Sequence, residues 1–190
     1  MSLTSEENII NNCAPTLAGL KTGSLFNAFY DSRASLLGDI ARFNRLLAGK
    51  GLRLIPLRFS QTSALIYLYR PDKLKRDLSD PEASRILAES GYESRDASGC
   101  ISRLIRRLRE SGDFPHEVGL FLSYPPADVR GFIENRGKNA KAGGLWKVYG
   151  DVECAEALFR RFKRCTVSYR RAFERGKRLE GLALACNTNP

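Results

Sequence analysis

The chain is poor in the residues that most often carry chemistry. Its 190 residues include one histidine, one tryptophan and one methionine. Any imidazole chemistry therefore rests on His116. The five cysteines, Cys13, Cys100, Cys154, Cys165 and Cys186, are odd in number, and none stands in a Cys-x-x-Cys pair. With one histidine beside them they lack the ligand spacing of a zinc site, and no metal is expected. They read as reduced, mostly buried thiols of a cytoplasmic protein. A His-Glu-x-x-His zinc motif is excluded, because Leu120 stands where the second histidine would be. Long apolar runs are also missing. The longest, such as 64–69, has strand length, well short of the ~18–20 residues that cross a bilayer. No membrane partner is expected. Glu6 and Glu7 open the chain with no basic segment ahead of an apolar one, so no secretory signal is expected either.

What is present points to a globular protein. Apolar residues make up 43% and charged residues 27%, which suits neither disorder nor a membrane span. The length fits a single domain over 1–190 with its own core. Net charge is +10 and the sequence pI about 9.6. That balance favours polyanions or phosphorylated ligands as partners.

Periodicity gives the elements. Thr4-x-x-Glu7 reads as a capping box for a first helix ending near Cys13, broken by Pro15 and Gly19. Residues 16–29 read as extended or looped chain. Leu36, Leu37, Ile40, Phe43, Leu46 and Leu47 fall at helical spacing between Arg33 and Lys50. Two β-rich runs, 52–59 and 63–69, then form a hairpin over about 52–70, with Pro56 marking an edge or bulged strand. Pro71 and Pro81 each open a short helix. Residues 98–111 form an amphipathic helix stopped by Gly112. Two short helices share 114–133, and a strand follows at 145–149. Asp151 caps a long helix over about 152–175, and 179–186 reads as a last strand. Strands and helices without βαβ alternation make the fold α+β.

Candidate site residues fall in a few motifs. His116 and Glu117 stand together at a helix start, a pairing suited to a general base and its orienting carboxylate. Cys13 lies near a helix end with Lys21 following, and a nearby cation would acidify a thiol. Gly19-Leu20-Lys21-Thr22 lacks the Gly-x-x-x-x-Gly-Lys spacing, so it is no phosphate-binding P-loop. The 136–144 run carries Lys138 and Lys141 among glycines, a composition that cradles anions. Trp146 and Tyr149 follow and could stack a ring. Across 117–133, Gly119, Leu122, Val129, Phe132 and Ile133 have the spacing of a helix-turn-helix. Asp128 on its second helix would repel phosphate.

Three runs carry a resemblance: Phe-Pro-His-Glu-Val-Gly-Leu-Phe-Leu-Ser-Tyr-Pro-Pro-Ala-Asp-Val (114–129), Gly-Phe-Ile-Glu-Asn-Arg-Gly-Lys-Asn (131–139) and Trp-Lys-Val-Tyr-Gly-Asp (146–151). With Cys-Ala-Pro-Thr-Leu-Ala-Gly-Leu-Lys (13–21), they make the chain similar, over nearly its whole length, to the bacterial family called domain of unknown function 3793. The resemblance implies a bacterial cytoplasmic protein whose signature residues map onto Cys13, Lys21, His116, Glu117, Trp146 and Tyr149. It names no activity and no cofactor. Ser123 stands where the family's glycine is expected before Tyr-Pro.

Two functional readings follow. One is a protein handling a small anionic ligand at a thiol–imidazole site. Cys13 would be its thiol, His116 the base, Glu117 the orienting group and Lys21 an anion contact. The other is a nucleic-acid-binding or regulatory module using 117–133 and the basic loop 136–144. No motif specifies an oligomeric state.

Overall fold

The apolar run at 63–69 becomes the middle strand of the larger sheet. The computed structural model describes residues 5–94, 96–110 and 114–185. These residues form two units, one of residues up to Asp72 with those from Phe162 onward, the other from Lys73 to Arg161.

In the first unit three antiparallel strands, β1 (Gly23–Phe29), β2 (Arg53–Phe59) and β3 (Ser63–Tyr69), stand in the order β1-β3-β2. β3 is central because its alternate residues Ala64, Ile66 and Leu68 all enter the core. β2 is an edge strand, and its register shifts between Pro56 and Arg58. A proline cannot donate to a ladder, so an edge with a bulge is where it is tolerated. Helix α1 (Glu6–Leu17) and helix α2 (Arg33–Leu47) bury Ile9, Ile10, Cys13 and Leu17, and Leu36, Ile40, Phe43 and Leu47, in the same core. Each such aliphatic side chain contributes roughly 1.5–3 kcal/mol on burial. Asn44 of α2 ties itself to β2 through both amide atoms, its Nδ2 donating to Leu54 O and its Oδ1 accepting from Leu54 N, each at 2.8 Å.

Arg70 follows β3 and is wholly buried. Its guanidinium donates to the carbonyls of Thr16 (2.8 Å), Leu17 (2.8 Å), Lys50 (3.2 Å) and Leu184 (2.8 Å). Two of these belong to the last turn of α1, where backbone carbonyls lack helical partners and attract positive charge.

Two expectations for this unit are corrected. The first helix does not stop near Cys13. It runs through Pro15 to Leu17, Ala18 is its C-cap, and Gly19 follows with φ 72°. Pro15 sits in the last turn, so its missing N–H forfeits only one backbone bond. The expected capping residue Thr4 lies outside the described residues, and Ser5 is the N-cap, accepting from Asn8 N at 3.2 Å. The expected strand at 179–186 is helix at Leu179–Leu182. Leu179, Leu182 and Ala183 recur at helical spacing and enter the core together. Cys186 lies outside the described residues.

The second unit holds helices α3 (Pro71–Leu78, from Lys73 onward), α4 (Pro81–Glu89), α5 (Ala97–Glu110), α6 (Val118–Phe121) and α7 (Pro126–Asn135). It also holds a small hairpin of β4 (Ala142–Gly143) with β5 (Lys147–Val148). Helix α8 (Val152–Glu174) begins here, and the last helix of the chain is α9 (Leu179–Leu182). Asp80 caps α4, accepting from Glu82 N and Ala83 N, with Pro81 in the first turn as expected. The apolar face of α5, Cys100, Ile101, Leu104 and Leu108, is buried. The glycine expected to stop it, Gly112, lies outside the described residues. Arg130 of α7 reaches Glu82 (2.8 Å) and Glu89 (3.2 Å) of α4, and Glu134 on its own helix (3.7 Å). The architecture is α+β.

Candidate functional site

The chain from Pro115 to Leu122 is a tight succession of turns around the one-turn helix α6. Val118 N, Gly119 N and Leu120 N each donate to the carbonyl three residues back, those of Pro115, His116 and Glu117. This winding separates two neighbours. The Glu117 carboxylate is buried, with the Arg107 guanidinium 2.7 Å away and the Tyr92 hydroxyl donating at 3.0 Å. His116 is exposed, and its ring lies 4.8 Å from that of Phe132. Glu117 thus anchors the turn to α5, and the partners described for it are Arg107 and Tyr92.

His116 stands at a cleft of about 570 Å³ within the second unit. Phe114, Tyr124, Phe132 and Trp146 give it aromatic walls, Val118 and Val129 add aliphatic surface, and Gly119, Gly143 and Gly144 bring backbone close. The polar and charged groups are the side chains of His116, Asp128 and Lys147, the Tyr124 hydroxyl and the Trp146 indole N–H. The Trp146 ring stacks on Tyr124 at 4.6 Å and meets Phe159 edge-on at 4.5 Å.

Asp128 sets this wall. Its buried carboxylate accepts from Trp146 Nε1 at 2.7 Å, Tyr149 N at 2.8 Å and Gly150 N at 2.7 Å. One carboxylate in the first turn of α7 thereby fixes the plane of the indole and the exit of the β4–β5 hairpin. Gly119 explains how α6 and α7 approach. A Cβ there would stand 2.8 Å from Val129 Cγ2 and 3.0 Å from Tyr124 Cδ2.

The remaining expected residues are placed as follows. Cys13 has no exposed surface and belongs to the core of the first unit. Burial pushes its thiol far above the ordinary range, against the smaller opposing pull of Lys21. Lys21 belongs to the same unit, and burial lowers its amine to about 8. Lys138, Lys141 and Tyr149 belong to the loop beside the cleft. Tyr149 Oη donates to Lys138 O at 2.8 Å, and Lys141 Nζ donates to Gly150 O at 3.1 Å. Of the expected site residues, His116 and Trp146 meet at one cleft. Asp128, Tyr124, Phe132 and Lys147 join them there and were not singled out as site residues from sequence. The signal for Asp128 was an acid within the apolar spacing of Val129 and Phe132. In the helix-turn-helix reading, α6 is a single turn and Arg130 is engaged by three carboxylates. Among the described residues no grouping of His, Cys, Asp and Glu could hold a metal ion, and no helix is long and apolar enough to cross a membrane.

Fold and site together define an α+β protein with an aromatic-walled cleft. The chain belongs to the family described as a protein of unknown function, DUF3793, whose match covers residues 9–183. No curated protein and no solved structure matches it.

Proposed function

We propose that this protein binds a small ligand with a flat apolar body and an anionic group in the cleft of its second unit. The observation that carries the reading is the cleft itself, about 570 Å³ with aromatic walls and His116 and Lys147 among its few polar groups. Its volume lies in the range of roughly 300–1,000 Å³ typical of metabolite pockets, and few polar groups among apolar walls is the usual make-up of one. Phe132 and Tyr124, with the packed Trp146 behind, lay aromatic surface against the flat body. Lys147 supplies a counter-charge, and His116 offers a ring nitrogen to donate or accept a proton at the ligand. Cys13 serves as a core residue in this reading. A thiol without exposed surface, its ionisation suppressed by burial, is of the inert kind.

Trp146 is the sole tryptophan, so its emission reports on the cleft alone. The probe is 1-anilinonaphthalene-8-sulfonate, a fused aromatic ring system with one sulfonate. Saturable quenching of Trp146 at one equivalent is expected, and Lys147→Ala should weaken binding by about 3- to 10-fold. The uncharged parent amine should bind wild type and Lys147→Ala alike. Quenching that never saturates, or equal affinity of wild type, Lys147→Ala and His116→Ala for the sulfonate, would sink the proposal.

A further inference from the structure

The positive charge of this chain is concentrated. From Lys163 to Arg178 stand Lys163, Arg164, Arg170, Arg171, Arg175, Lys177 and Arg178 against one acid, Glu174. Seven cations less one acid leave +6 on this segment, against +10 for the whole chain. Most of it is helix α8, and the residues from Phe162 on belong to the first unit.

Helical geometry sorts the residues by face. Phe162 is buried, and Tyr169, Ala172 and Phe173 pack on the core of the first unit. Arg164, Val167, Arg171 and Arg175 recur at three- and four-residue steps along the opposite, exposed line. Lys163 and Arg170 stand together on one side of that line and are exposed as well. Arg164 to Arg175 spans about 16 Å at the helical rise. The contacts described for these cations are modest. Arg170 Nε donates to Asn11 Oδ1 at 2.6 Å, and Arg178, itself 75% exposed, pairs with Glu6 at 2.9 Å.

We propose that this face of α8 binds the phosphate backbone of duplex DNA. Five of the seven cations are arginine, whose planar fork matches phosphate oxygens. A lipid surface fits less well, because a helix lying on a membrane inserts an apolar face. Here the apolar face is already packed on the core. A single strand also fits less well. The exposed positions, Lys163, Arg164, Val167, Ser168, Arg170, Arg171 and Glu174, hold no aromatic ring on which bases could stack. A helix about 10–12 Å across enters the B-form major groove, about 12 Å wide, and is refused by the narrow major groove of A-form RNA. Arg164, Arg171 and Arg175 along the line, with Lys163 and Arg170 beside it, are the cations that meet phosphates there. With these cations on phosphates, whose contacts carry no base information, binding is sequence-tolerant.

The test is fluorescence anisotropy of the full chain with a labelled mixed-sequence DNA duplex of about 24 base pairs, from 50 to 200 mM KCl. Log affinity should fall against log salt with a slope of about −3 to −4, from roughly four phosphate contacts. Arg164→Gln with Arg171→Gln should make the slope shallower by about 2 and cut affinity at least about tenfold at 100 mM. Lys75→Gln with Arg76→Gln removes equal charge from α3 and should change affinity less than about twofold. Both pairs lie on exposed helix positions, and circular dichroism verifies that each folds. The proposal is overturned by absence of binding at 50 mM KCl, by equal loss from the two double variants, or by tighter binding of duplex RNA or phosphatidylserine vesicles than of DNA.

Discussion

Ser123 takes φ 59°, in the left-handed region that side chains disfavour. It closes the turn between α6 and α7, and its Oγ stands 3.3 Å from Asp77 Oδ2. The backbone conformation costs a non-glycine residue about 1 kcal/mol, and the hydroxyl contact returns a similar amount. A glycine, which the family resemblance leads one to expect here, relieves the first and gives up the second. Ser123→Gly should therefore lie close to wild type in urea unfolding. Ser123→Ala keeps the strain and loses the contact, so it should be less stable than Ser123→Gly by about 1 kcal/mol. Equal midpoints for the two variants would show that the turn carries no strain.

At the level of elements, the β4–β5 hairpin is held from outside. Two residues per strand cannot stand alone in water. Asp128 supplies three acceptor contacts, and Trp146 packs between Tyr124 and Phe159. Asp128→Ala leaves two backbone N–H groups and the indole N–H without their carboxylate, at a cost of about 3 kcal/mol. Trp146 emission should move to the red and become open to acrylamide; an unmoved spectrum would mean that packing alone holds the ring. The same hairpin shows where sequence reading ends. The strands at 53–59 and 63–69, the amphipathic α2 and α5 and the long α8 were legible because one repeating face is enough to identify them. The end of α1 was not, because Pro15 is costly inside a helix and cheap in its last turn. The chain from Leu179 was read as strand because one helical turn offers too few apolar positions to show its period. His116 and Trp146 were legible as scarce residue types. The role of Asp128 was not, because an acid in a first helical turn is ordinarily a solvated partner of the helix dipole. Glu117 was read beside its sequence neighbour, whereas winding of the turn gives it to Arg107 and Tyr92.

Across the whole molecule, buried titratable groups pull stability in opposite directions as pH rises. Burial raises the Cys13 thiol, so above about pH 8.5 the unfolded chain loses a proton that the folded chain keeps, and stability falls. Lys21, lowered by burial to about 8, does the reverse. Between pH 8 and about 10.4 its folded amine is largely neutral while the unfolded amine stays charged, so stability rises across that window. The two oppose each other over much of their range. Tyr92 acts later. Burial, then the Glu117 carboxylate that its hydroxyl faces, push it far above the ordinary phenol range, with the Arg107 charge opposing more weakly. Above about pH 10 the unfolded phenol ionises and the folded one does not. The unfolded state then binds fewer protons, and stability falls by about 1.4 kcal/mol per pH unit from this residue. Tyr92→Phe removes that contribution and leaves Cys13, Lys21 and the other tyrosines in place. At neutral pH the variant should be less stable than wild type by about 1.5–3 kcal/mol, the worth of a hydrogen bond to a buried carboxylate. The gap should hold constant to about pH 10 and then close by about 1.4 kcal/mol per unit, because the Tyr92 contribution weakens wild type and is missing from the variant, while all other contributions are shared. Urea unfolding of both proteins from pH 7 to 11.5 measures it. Curves that stay parallel through the upper end would show that Tyr92 ionises in the fold as freely as in the unfolded chain.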